Sequence, residues 1–93
     1  ILGDMLELGV FSEKIHRDVG SEVYDIDLLI TVGKESKNIA KNARISEEKI
    51  FSFDNNDDAI EKIANIINGN DLILVKASNG MKFGNIVEKI KCF

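Results

Sequence analysis

Two kinds of apolar spacing alternate along the chain. Phe11, Ile15, Val19 and Val23 recur four apart and make one helical stripe over residues 11–23, with Ser12 as its N-cap and Glu13 suited to the positive first turn. Asp27-Leu28-Leu29-Ile30-Thr31-Val32, ended by Gly33, is apolar without alternation, the pattern of a strand covered on both faces and hence of a parallel sheet. A short helix is expected from Lys34 or Glu35 to Ala43, then a short strand over Ile50-Phe51-Ser52-Phe53. The run Asp54-Asn55-Asn56-Asp57-Asp58 supplies a turn and N-cap candidates for a helix burying Ala59, Ile60, Ile63, Ala64 and Ile67. Asn68-Gly69-Asn70 stops that helix, and Asp71-Leu72-Ile73-Leu74-Val75 is long and apolar enough to be a second central strand. The last helix is expected from Asn79 to Lys91, burying Met81, Ile86, Val87 and Ile90, with Lys89 and Lys91 suiting the negative end of the dipole.

Strands alternating with helices imply right-handed crossovers, and the fold class is α/β: a Rossmann-like, mostly parallel sheet with helices on both faces. Ile1-Leu2 reads as the end of a strand and Gly3-Asp4 as its turn. The fold is therefore expected to lack its first helix and part of its first strand, as a single domain, residues 1–93, excised from a longer chain. In such sheets ligands sit outside the carboxyl ends of the strands. The loops to weigh are Gly3 to Gly9, Gly33 to Ser36, Asp54 to Asp57 and Lys76 to Met81.

Composition narrows the classes. Ninety-three residues allow one core, and 44% hydrophobic with 30% charged residues and no proline is the balance of a folded globular domain. A net charge of −4 with both signs interspersed argues against a nucleic-acid surface. The single Cys92 excludes an internal disulfide and suits a reducing compartment. No apolar run approaches the roughly 20 residues that span a bilayer, so no membrane insertion is expected and the cytoplasm is the expected location.

Candidate chemistry concentrates where strand meets helix. Lys76 closes an apolar run and Ser78-Asn79-Gly80 opens a helix, so a cation, a hydroxyl and backbone N–H groups can converge on a carboxylate or phosphate. The same letters also read as a solvated strand end and an N-cap. Asp4 beside Gly3 can meet a ribose or a lysine from a neighbouring domain, or close an Asx-turn. His16, the lone histidine, lies one residue off its helical stripe, where a structural role is the commoner one. No His, Cys or carboxylate set has metal-ligand spacing, and Asp54, Asp57 and Asp58 lack the glutamate of a calcium loop. Neither Gly-x-Gly-x-x-Gly nor Gly-x-x-x-x-Gly-Lys-Ser/Thr is present, and no nucleophile elbow. No catalytic residue and no metal ligand is assigned, and the chain by itself is expected to be inert.

Leu2-Gly3-Asp4-Met5-Leu6-Glu7-Leu8-Gly9, His16-Arg17-Asp18-Val19-Gly20 and Val75-Lys76-Ala77-Ser78-Asn79-Gly80-Met81 together resemble the C-terminal domain of the Mur ligases, ATP-dependent amide-forming enzymes of peptidoglycan synthesis. The resemblance spans nearly the whole chain and is most specific at its two ends. It implies a three-domain parent in which a central domain carries the P-loop and magnesium ligands, so ATP and Mg2+ belong to the whole enzyme and not to this fragment. The Met-Leu-Glu-Leu-Gly opening and the Gly80-Met81 ending favour the branch that adds D-alanyl-D-alanine to a UDP-N-acetylmuramoyl-tripeptide. The implied partners are those small molecules, ATP, and the central and N-terminal domains of the same chain. The implied chemistry is phosphoryl transfer from ATP to the peptide carboxylate, then attack by the dipeptide amine.

By the same resemblance Lys76, Ser78 and Asn79 bind substrate, while Gly3, Asp4 and Glu7 belong to a loop facing the active site, with a role in domain closure. The family usually has Lys-Gly-Ser-Arg-Gly-Met here. This chain has Ala77 and Asn79 instead, and asparagine lacks the bidentate grip of arginine on a carboxylate. The family's upstream Tyr-x-x-Asn-Pro motif is not in this sequence. A reading from a different class, a stand-alone non-catalytic Rossmann-like binding or regulatory module, stays open on the residues alone.

Overall fold

The structure, a computed structural model, describes residues 1–91, so Cys92 lies outside the described residues. In chain order the elements are β1 (Leu2–Gly3), α1 (Ser12–Ser21), β2 (Leu29–Val32), α2 (Lys37–Asn42), β3 (Ile50–Phe53), α3 (Asn56–Ile66) and α4 (Gly84–Lys91), with single 3-10 turns at Gly9–Phe11, Glu47–Lys49 and Asn79–Met81.

The sheet is parallel in the order β1-β2-β3, with Leu2 opposite Thr31 and Leu29 to Val32 opposite Ile50 to Phe53. Every residue of β2 is buried, which an unbroken apolar run requires of a strand with helices on both faces. Ile30 and Val32 join Ala59, Ile63, Phe83 and Ile86 in one core under α3 and α4. By the alternation of a strand, Leu29 and Thr31 point to the other face, where α2 lies with its buried Ile39 and α1 packs on α2. The α/β, Rossmann-like class is thus the observed one. α3 starts as its letters require, with the Asn55 side chain accepting from the Asp58 N–H at 2.9 Å and Asp57 and Asp58 in the first turn.

Several expectations need correction. Ser12 does not cap α1: it is the helix's first residue, and its hydroxyl donates to Glu35 Oε2 at 3.1 Å. The helix buries His16 and Gly20, leaving Ile15, Val19 and Val23 half-buried and Phe11 64% exposed. The true contact face is therefore turned by one residue from the apolar stripe, because a small Gly20 lets α1 approach α2 closely. Ala64 of α3 is exposed.

Asp71–Val75 is not a central strand. Among the described residues its ladder consists of a bridge from Lys76 to Leu2, with the Gly3 N–H donating to the Lys76 carbonyl at 2.9 Å and the Lys76 N–H to the Ile1 carbonyl at 3.0 Å. The segment runs along the free side of β1, and Leu72 and Leu74 are 102% and 66% exposed. The last helix is also shorter than its periodicity suggests. Lys82 takes a left-handed conformation (φ 55°), which ends the Asn79–Met81 turn, and Phe83 drops into the core before α4 begins.

Candidate strand-end site

Parallel strands send all their carboxyl ends to one edge, and four loops meet there. The first, after β1, carries Asp4, which is 6% exposed and whose Oδ1 accepts from the Ser36 N–H at 2.6 Å. That bond satisfies a donor just before α2 and draws the carboxylate over Gly33. Gly33 has φ +115°, and a Cβ there would stand 2.5 Å from Asp4 Oδ1, so both backbone and packing demand glycine. The Gly33 N–H in turn donates to the Phe53 carbonyl at 2.8 Å, tying in the end of β3.

The backbone from Asp4 to Leu6 is held at three successive residues. The Asp4 carbonyl accepts from the Ser78 N–H at 3.2 Å, the Met5 N–H donates to His16 Nε2 at 3.0 Å, and the Leu6 N–H donates to Ser78 Oγ at 2.9 Å. The fourth loop, 76–82, is fastened from its other side by Asn56 Nδ2, which donates to the Met81 carbonyl at 2.9 Å. Lys37 of α2 pairs with Asp54 across the neighbouring gap.

Lys76 and Asn79 are exposed and Ser78 is half-buried, and all three lie on one short loop. Gly3 and Asp4 lie beneath it and are buried. A Cβ at Gly3 would come 2.3 Å from Phe83 Cζ. Glu7 is exposed on the crest of its loop in a left-handed conformation (φ 64°). One feature of the sequence reading does not hold: Ser78 caps no long helix, and its hydroxyl and N–H both bond the neighbouring loop. An anion at this edge would meet side chains, with little help from a helix dipole.

Charge at the edge is of both signs, with Lys34, Lys37, Lys76 and Lys82 set among Asp4, Glu7, Glu35 and Asp54. Among the described residues none of Lys34, Lys76 and Lys82 is ion-paired. Asp4 is engaged by Ser36, Asp54 by Lys37, and Glu35 by the Ser12 hydroxyl. Among the described residues no three His, Cys, Asp or Glu gather as a metal group, and the sequence holds no glycine-rich phosphate loop. The polar groups that the 76–79 loop presents are the Lys76 ammonium, the Ser78 hydroxyl and the Asn79 amide.

The structural role expected of His16 is the observed one, while its partners were not legible in the sequence. It is fully buried, and its Nδ1–H donates to the Ser12 carbonyl at 2.7 Å while Nε2 accepts from Met5, which sets the tautomer. Its i, i+4 spacing from Ser12 was the one available hint. A groove of about 520 Å3 lies at the opposite, amino ends of the strands between Leu28, Leu72, Leu74 and Ile1, away from all the candidate residues. No described helix is long and apolar enough to cross a membrane.

The family described as "Mur ligase, glutamate ligase domain" matches residues 1–79. Over 94 aligned residues, 97% of this chain, the sequence is 34% identical to a UDP-N-acetylmuramoyl-tripeptide–D-alanyl-D-alanine ligase of Bacillus subtilis, covering 21% of that protein. It is also 34% identical to the ligase of that name from Buchnera aphidicola, over 97% of this chain and 20% of the relative. The Rickettsia prowazekii protein of that name is 32% identical over 95% of this chain and 20% of the relative. The chain thus spans about a fifth of the length of the curated relatives it matches. No solved structure matches it.

Proposed function

Because the chain belongs to the Mur ligase family, matching its glutamate ligase domain, we propose that it is the C-terminal domain of an ATP-dependent ligase that joins D-alanyl-D-alanine to a UDP-N-acetylmuramoyl-tripeptide in peptidoglycan synthesis. The parent works in the cytoplasm, and its central and N-terminal domains bring the nucleotide, Mg2+ and the UDP-sugar peptide. The observation that carries the reading is the strand-end edge, where Lys76, Ser78 and Asn79 share one loop that is bonded on two sides to the rest of the fold. Such an edge can close over a site built elsewhere and add charge and hydrogen bonds to it.

In this reading the Lys76 ammonium faces the dipeptide carboxylate or a phosphate oxygen. Ser78 Oγ already accepts from Leu6, so its own proton is the part left to donate. The Asn79 amide adds a neutral donor where the family pattern has a cation. Each charge-assisted bond is worth about 1.5–3 kcal/mol, enough to orient an amine for attack but not to replace the phosphate-binding machinery. Gly3 and Asp4 shape the loop from beneath, Glu7 faces the closing domains, and no residue of this chain forms a bond to substrate.

The test is ADP release by the full-length parent supplied with ATP, Mg2+ and the UDP-N-acetylmuramoyl-tripeptide, with and without D-alanyl-D-alanine. Release that depends on the dipeptide is expected, together with none from the 93-residue chain alone. Release driven by a single amino acid would move the parent to another branch of the family. No release under any combination would return the chain to a non-catalytic binding module.

A further inference from the structure

We propose that His16 is a positioning residue for the substrate-binding loop, acting through the backbone of residues 4–6; the proposal rests on the ligase reading above. The side chain hydrogen-bonds none of Lys76, Ser78 and Asn79. It is fully buried between α1 and the loop after β1, and each ring nitrogen is used: Nδ1–H donates to the Ser12 carbonyl at 2.7 Å and Nε2 accepts from the Met5 N–H at 3.0 Å. The groups facing it are these two backbone atoms and the Ser12 hydroxyl at 3.2 Å from Nδ1, which itself donates to Glu35.

Met5 is the middle residue of a three-residue clamp. Its neighbours Asp4 and Leu6 bond the N–H and the hydroxyl of Ser78, and a trans peptide fixes neighbouring backbone groups to one another. Asp4 is also held at its carboxylate by Ser36, a bond to the side chain that leaves the Met5 peptide to another anchor. His16 is that anchor. If its acceptor is removed, the Met5 N–H loses its partner in a part-buried position, and the backbone must shift to reach water. Ser78 moves with it, and Asn79 next to it, while Lys76 stays on β1 by its own ladder bonds.

The geometry separates two substitutions. In His16→Gln the side-chain oxygen reaches the position of Nε2 and can still accept from Met5. In His16→Asn the shorter amide keeps the reach of Nδ1 to the Ser12 carbonyl and loses Met5. Both are introduced into the full-length parent and read in two ways: amide hydrogen exchange of peptides covering residues 4–8 and 76–81, and steady-state kinetics with D-alanyl-D-alanine varied.

The expected result for His16→Asn is at least tenfold faster exchange in both peptides and a five- to twentyfold higher KM for the dipeptide, with kcat within about twofold and the KM for ATP unchanged. His16→Gln should behave as the wild type in both readouts. Equal exchange in 76–81 for wild type and His16→Asn overturns the relay, as does a loss in His16→Gln equal to that in His16→Asn. Exchange is independent of the reaction, so a parent that does not use the dipeptide would refute the ligase reading while leaving the relay to be judged on exchange alone.

Discussion

Gly33 shows at the scale of one residue why the strand-end edge tolerates little change. Its backbone sits at φ +115°, and the space its side chain would need holds the Asp4 carboxylate. Gly9 is also left-handed (φ +59°), yet nothing lies within 4 Å of where its Cβ would be. The two glycines therefore separate backbone strain from lost space. Gly9→Ala should cost about 1 kcal/mol, the strain alone. Gly33→Ala should cost about 2–3 kcal/mol, because the strain is joined by displacement of the carboxylate from Ser36. Urea unfolding of the two variants checks the difference, and equal midpoints would show that Asp4 moves aside freely. The strand ending at Val32 made Gly33 readable as a turn, but nothing along the chain says that Asp4, far away in sequence, fills the space beside it.

For whole elements, legibility follows how locally the signal is made. The start of α3 is written in consecutive letters: Asn55 accepts the Asp58 N–H, and acids occupy the positive end. Asn55→Ala should destabilise by about 1 kcal/mol and Asn55→Ser by much less, measured by the same unfolding curves. A full cap loss without effect would mean that packing of Ala59 and Ile63 alone nucleates the helix. The final helix departs from its periodicity for the opposite reason. Periodicity runs through Met81, Ile86 and Ile90, but the chain reverses at Lys82 so that Phe83 can enter a core made by β2 and α3. That reversal is decided by distant residues and leaves no local mark, since lysine is not a residue that announces a left-handed turn.

Across the whole molecule, stability should fall away from β2. Its residues Leu29, Ile30, Thr31 and Val32 are 0–3% exposed and all pair with β3, Thr31 and Val32 with β1 as well, whereas 71–75 lies at the sheet's edge. Hydrogen exchange should therefore find the slowest amides in Ile30 to Val32 and among the fastest in Leu72 to Leu74. Comparable protection in both segments would contradict the edge position of 71–75.

Near-neighbour signals carried the α/β alternation, the buried β2 and the capped start of α3, because each sums over a short window. Only the tertiary structure decided the order of strands, the edge position of an apolar run, the break at Lys82 and the employment of His16. Apolarity states that a segment seeks cover, not which neighbour supplies it. A buried polar side chain, likewise, shows its purpose only when the donor it satisfies arrives from another part of the chain.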